Sequence, residues 1–148
     1  MDSEILTIAA GSDHAGYRLK STIATVLRTA GHAVLDLGSD GEERVDYPDY
    51  AHAVCRAVAA GEARFGVLVC GSGVGMSIAA NRHGAIRCAL VSEVATARLC
   101  RAHNDANVIA LGSRLLGEAA ALEIVRAFLA SPYEGGRHDR RLAKLAPA

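Results

Sequence analysis

Val67-Leu68-Val69-Cys70-Gly71-Ser72-Gly73-Val74-Gly75 is a short apolar run that passes through three glycines into a helical pattern. It reads as a buried strand followed by a tight turn and a helix. The same alternation repeats on both sides. Upstream, Ile5 to Ala10 reads as a strand ending at Gly11-Ser12-Asp13-His14. Leu19, Ile23, Val26, Leu27 and Ala30 then fall at helical spacing, and Gly31 stops the helix. Val34 to Leu37 reads as a second strand. A polar loop from Gly38 to Tyr47 leads to Pro48, a residue suited to opening a helix. Ala51, Val54, Cys55 and Val58 form the inner face of that helix, and Gly61 closes it. Downstream, a short helix runs through Ile78 and Ala79. Ile86 to Val91 is expected as a fourth strand, with Ser92 capping a helix over 93–102. Asn107 to Leu111 is a fifth strand, Ala119 to Ala130 a long helix ending near Pro132, and a basic helical tail occupies about 132–148.

Continuous apolar strands alternating with helices predict a parallel sheet covered on both faces. The expected fold is a Rossmann-like three-layer α/β/α domain with a five-stranded parallel sheet, spanning residues 1–148. Ligands of such sheets bind beyond the carboxyl ends of the strands. Three polar segments are expected there: 11–14, 70–75 and His103-Asn104-Asp105.

The composition narrows the partners. The chain is 51% hydrophobic and 22% charged, which excludes a disordered chain. Sixteen basic residues balance sixteen acidic ones, and aromatics make up only 4%. Both facts argue against a nucleic-acid partner. No apolar run approaches the ~18–20 residues of a membrane span. The start, Met1-Asp2-Ser3-Glu4, lacks the positive region of a secretory leader. The four cysteines have no CxxC spacing, and a chain of this size needs no disulfides. A cytoplasmic protein is expected.

The glycine turn is close to several known loops without matching them. The dinucleotide pattern fails at Met76, no Gly-Lys-Ser/Thr follows, and the nucleophile elbow fails because Cys70 and Val74, not glycines, stand two residues to either side of Ser72. Gly71, Gly73 and Gly75 can instead converge backbone N–H groups on a phosphate or an enediolate oxyanion, or can serve close packing alone. Cys70 stands at the mouth of the loop, where a thiol can act as nucleophile or base; buried cysteine is also a common inert hydrophobe. Cys55, Cys88 and Cys100 read as core. Asp13 and His14 end the first strand as a possible proton-handling pair, or as a helix cap and an incidental His. His103 ends a helix, where its cation is favoured. His32, His52 and His83 read as structural. No ligand spacing supports a metal. Arg137 and Arg141 share a face if the tail is helical, forming either a phosphate comb or a solvated surface.

The chain resembles the type B ribose-5-phosphate isomerases, within the wider family that includes galactose-6-phosphate isomerase subunits. The resemblance rests on Gly11-Ser12-Asp13-His14-Ala15-Gly16, Asp46-Tyr47-Pro48, Cys70 to Gly75, Ser77 to Asn81, His103 to Asn107 and Tyr133 to His138, in this order and at these separations. It implies aldose–ketose isomerisation of a sugar phosphate through an enediolate, with no metal or organic cofactor. It implies Cys70 as the base between C1 and C2, and Gly71, Ser72, Gly73, Val74 and Gly75 as the anion hole. It further implies His103 as the ring-opening acid and Asp13 as the partner for hydroxyl protons. His14, Arg114, Arg137 and Arg141 are implied as substrate and phosphate contacts, Asn104 as a sugar contact and Tyr47 as pocket lining. A homodimer or dimer of dimers with the site between subunits is implied. Position 72 is Ser where many cysteine-type members carry Thr, which keeps the hydroxyl and leaves sugar preference open to a shift. The main alternative is the same chemistry on a tetrulose, allose or galactose phosphate, which pocket length decides. A non-catalytic sugar-phosphate binder is the alternative of a different class.

Overall fold

The computed structural model describes residues 4–147; Met1 to Ser3 of the acidic start, and Ala148, lie outside the described residues. Five parallel strands alternate with helices: β1 (Thr7–Ser12), α1 (Tyr17–Thr29), β2 (Ala33–Asp36), α2 (Tyr47–Ala59), β3 (Phe65–Cys70), α3 (Val74–Ala80), β4 (Cys88–Leu90), α4 (Val94–Asn104), β5 (Val108–Gly112), α5 (Glu118–Ala130) and α6 (Arg137–Ala143). All five strands join one sheet in the order β2-β1-β3-β5-β4. This is the expected three-layer architecture. One apolar cluster lies under α1, α4 and α5, built on Ile23, Ile109, Ile124 and Phe128. The other lies under α2 and α3, built on Val54, Leu68, Met76 and Ala110. β3 is buried at all six positions, as a central strand covered on both faces must be. No helix among the described residues is long and apolar enough to cross a membrane.

Several boundaries differ from the sequence reading. β3 starts at Phe65 rather than Val67, and the tail read as helical over about 132–148 is helical only over Arg137–Ala143. β1 starts two residues later than expected, and Ile5 is 74% exposed. It instead continues to Ser12, because Ser12 pairs with Val69 in β3. β4 holds only three residues of the expected Ile86–Val91, since it is an edge strand paired with β5 alone. α4 begins after Glu93 in extended backbone, with no side-chain cap, so Ser92 does not cap it.

The more consequential difference concerns His103. α4 starts beyond the carboxyl end of β4 and runs back, ending just before β5 begins. Its last turn therefore lies at the amino edge of the sheet, and His103-Asn104-Asp105 are not beyond the strands' carboxyl ends. The eleven residues of α4 span about 16 Å at ~1.5 Å each, roughly the height of the sheet.

Candidate active site

The strand order reverses between β1 and β3, which places a crevice at their carboxyl ends. Asp13 and Cys70 flank it. Asp13 N–H donates to Val69 O at 3.2 Å, and Cys70 O accepts Ser113 N–H at 2.9 Å from the end of β5. Three strand ends thus meet at the backbone around Cys70, whose thiol is buried in the single chain. Asp13 Oδ1 accepts Gly16 N–H at 3.0 Å, which closes the turn into α1. His14 Nδ1 accepts Val45 N–H at 3.2 Å, so in its neutral form the ring carries its proton on Nε2 and offers it outward.

The glycine loop is held by its own donors. Gly73 N–H donates to Cys70 Sγ at 3.1 Å, which aims the sulfur into the loop. Val74 N–H donates to Ser72 Oγ at 3.2 Å. Two N–H groups of the expected anion hole are therefore engaged internally. An oxyanion would meet the remaining loop N–H groups or replace the weak Ser72 contact. Gly73 sits at φ +79, a left-handed conformation that disfavours any side chain. A Cβ at position 75 would lie 2.6 Å from Tyr47 Cζ, so the Tyr47 ring rests directly on Gly75. The Arg114 guanidinium lies likewise against Gly71, with Nη1 3.1 Å from where a Cβ would stand. Tyr47, Arg114, Asp13, His14 and residues 70–75 thus gather at one edge.

His103, Asn104, Arg137 and Arg141 gather at the other. Glu134 N–H donates to Ala102 O at 3.0 Å, tying the chain before α6 to the end of α4. The imidazoles of His103 and His138 stack with centroids 4.5 Å apart. The tail is helical from Arg137, so Arg137 and Arg141 do stand one turn apart on α6. Both arginines are exposed. The single chain therefore splits the sequence-derived site into two groups on opposite edges of the sheet. A cleft of about 830 Å³ lies between residues 81–89 and the end of α6, with Asn104 on its wall and without Cys70.

The other cysteines behave as core. All four are free thiols. Burial pushes Cys55 and Cys100 up to about 11, and Cys88 higher still. His32 Nδ1 accepts Leu6 N–H at 3.0 Å. His52 and His83 are not isolated: their ring nitrogens approach to 2.7 Å and join α2 to the turn after α3. Sequence reasoning missed three supporting residues. Buried Lys20 donates to Asp36 Oδ1 and to Ser39 O, both at 2.7 Å, and holds the loop after β2. Buried Arg101 donates to Asp105 Oδ1 at 2.7 Å and Ala106 O at 2.9 Å, locking the α4–β5 turn beside His103. Glu134 lies beside both stacked imidazoles. The one available signal was a charged residue interrupting an inner helical face, at positions 20 and 101.

The family model for Ribose/Galactose Isomerase matches residues 8–145. The chain belongs to this family. As an isomerase-family member it is 50% identical over 135 residues to the protein of Escherichia coli (strain K12) named ribose-5-phosphate isomerase B, covering 91% of each chain. A solved ribose 5-phosphate isomerase from Thermotoga maritima is similar with a TM-score of 0.94 and 48% identity, over 96% of this chain and 98% of that one. The family neighbour from Mycoplasma genitalium, ribose-5-phosphate isomerase B with bound ribulose-5-phosphate, has a TM-score of 0.90 and 40% identity, over 94% of this chain and 93% of that one.

Proposed function

We propose that this chain interconverts ribose 5-phosphate and ribulose 5-phosphate through an enediolate, in a site assembled between two copies of the chain. The observation that carries this reading is the Cys70 sulfur, aimed into a glycine loop at the sheet's switch point, with Asp13 at the end of the neighbouring strand. Abstracting a proton alpha to a carbonyl needs a base next to an oxyanion stabiliser, and that arrangement offers both. The likeness to enzymes named ribose-5-phosphate isomerase B supports the substrate class.

The steps follow from the groups at hand. His103 gives a proton to the ring oxygen while Asp13 accepts one from the anomeric hydroxyl, which opens the furanose. The Cys70 thiolate takes the C2 proton of the aldose and returns it to C1 of the enediolate. The loop 71–75, with the Ser72 hydroxyl, holds the charge on the oxygens. His14 Nε2–H, Arg114, Arg137 and Arg141 hold the phosphate, and Tyr47 and Asn104 line the sugar. The steps call on no metal or organic cofactor.

Two copies are required because Cys70 and His103 occupy opposite edges of one sheet. A twofold dimer would set the Cys70 edge of each copy against the His103 edge of the other, giving two sites. Exposed Val74 and Ile78, one turn apart on α3, and exposed Leu90 beside Gly73 form an apolar border around the loop, suited to such a contact. Four free thiols fit the reducing cytoplasm.

The test is Cys70→Ala assayed on a panel of pentose, tetrose and hexose phosphates. General-base loss should lower kcat by at least ~10²–10⁴. Near-wild-type turnover would remove Cys70 from the mechanism. A higher kcat/KM for a tetrulose, allose or galactose phosphate would move the assignment to that sugar.

A further inference from the structure

We infer that His103, Glu134 and His138 form a binding site for a borderline divalent cation of the Zn²⁺ type, and that occupancy withdraws His103 from proton transfer. The second half rests on the role proposed for His103; the first does not. One donor atom from each residue lies within 4.8 Å of the others. His138 Nε2 stands 3.6 Å from Glu134 Oε1, and His103 Nε2 stands 4.0 Å from Glu134 Oε2. Two imidazoles and a carboxylate are a known zinc ligand set that leaves a fourth position open. At Zn–N distances of ~2.0–2.1 Å, tetrahedral donors stand about 3.4 Å apart, so the two imidazole–carboxylate spacings need contract by well under ~1 Å, while the widest donor separation, within 4.8 Å, closes only as a ring turns.

An independent observation singles out this cluster. His138 is 95% buried by its 5% exposure, yet its Nε2 has no hydrogen-bond partner among the described residues. The 3.6 Å gap to Glu134 is too long for a hydrogen bond. A buried ring nitrogen left unpaired beside a carboxylate is costly, and a cation between them would satisfy both. The backbone supports the site: Glu134 and His138 are four apart, and the Glu134 N–H bond to Ala102 O anchors them against the last turn of α4. The two rings stack at 17° rather than converge, so one must turn toward the ion. His103 can do so, because its side chain is 38% exposed. Coordination then consumes the lone pair of its Nε2, and the ring can no longer exchange a proton there.

The probe is Co²⁺ titrated into the full-length protein, read by its visible d–d absorption and displaced by Zn²⁺. We expect one ion per chain, with nitrogen and oxygen ligands and no thiolate charge-transfer band. Glu134→Gln changes an exposed side chain and should fold; it and His138→Gln should each weaken binding about tenfold or more. Zn²⁺ should slow isomerisation reversibly, with chelator restoring the rate, and His138→Gln should lose that sensitivity. No Co²⁺ binding at millimolar concentration, unchanged affinity in both variants, or a thiolate band would each overturn the site. Binding without inhibition would overturn the withdrawal of His103. A chain inactive even in chelator would sink the proposed activity while leaving the Co²⁺ result standing.

Discussion

If the catalytic site joins opposite edges of two chains, inactive variants should rescue one another. Consider Cys70→Ala and His103→Ala. The two residues are separated by the height of the sheet, about 16 Å along α4, and neither helix nor loop can bring them together within a chain. In a mixed dimer, one site combines both lesions. The other combines the intact Cys70 of one chain with the intact His103 of its neighbour. Random pairing of equal amounts makes about half the dimers mixed, each with one working site of two, so the mixture should recover roughly a quarter of wild-type activity. Each variant alone should stand ~10²–10⁴ below wild type. The assay is ribulose 5-phosphate formation by co-expressed, doubly tagged dimers, purified through both tags to isolate the mixed species. That species should reach about half the wild-type rate, one site of two. Mixed dimers no more active than the parents would show that Cys70 and His103 do not serve one site across an interface.

Three other outcomes follow from particular contacts. Gly73→Ala places a side chain at φ +79 with its Cβ 2.9 Å from the Leu111 carbonyl carbon; the backbone cost alone is about 1–2 kcal/mol, so thermal unfolding should fall by several degrees and Cys70 should lose its N–H partner. A variant as stable and active as wild type would refute the strained-loop argument. Cys55 and Cys100 keep their protons to about 11 when folded, against 9.0 ordinarily; above pH 9 the unfolded chain loses protons that the folded chain retains, so stability should decline from pH 9 toward 11. Denaturant midpoints should show a shallower decline in Cys55→Ala, and at neutral pH iodoacetamide should modify Cys70 ahead of the other three. Arg137→Ala or Arg141→Ala should raise KM for ribose 5-phosphate about tenfold or more, since each guanidinium–phosphate bond is worth roughly 1.5–3 kcal/mol. Arg140→Ala, about 100° around the same helix, should be nearly silent, and equal effects at all three would mean bulk charge rather than a phosphate site.

The alternation of apolar runs with helical spacing was legible because it is local. Val67 to Val69, the inner face of α2 and the glycines that stop helices each declare themselves within a few residues. The same holds for the Cys70–Gly75 loop, whose glycine spacing marks a close backbone approach before any neighbour is known. Helical periodicity states which face of α4 is buried but not where its last turn lies relative to another strand's end. That required the strand order, and it moved His103 across the sheet from Cys70. Lys20 and Arg101 were opaque for a related reason. A charge on an inner helical face is tolerable only when other groups satisfy it; the carboxylate that meets Lys20, Asp36, lies 16 residues away, and although Asp105 is only four residues from Arg101, the burial of that guanidinium and its further bond to the Ser131 carbonyl, 30 residues on, arise only in the fold. Glu134 and His138 likewise acquire meaning only when α6 folds back onto α4 and sets an unpaired imidazole nitrogen beside a carboxylate. Short-range pattern thus determined the elements and the chemistry each can carry, whereas burial and long-range pairing decided which of those chemistries share a site.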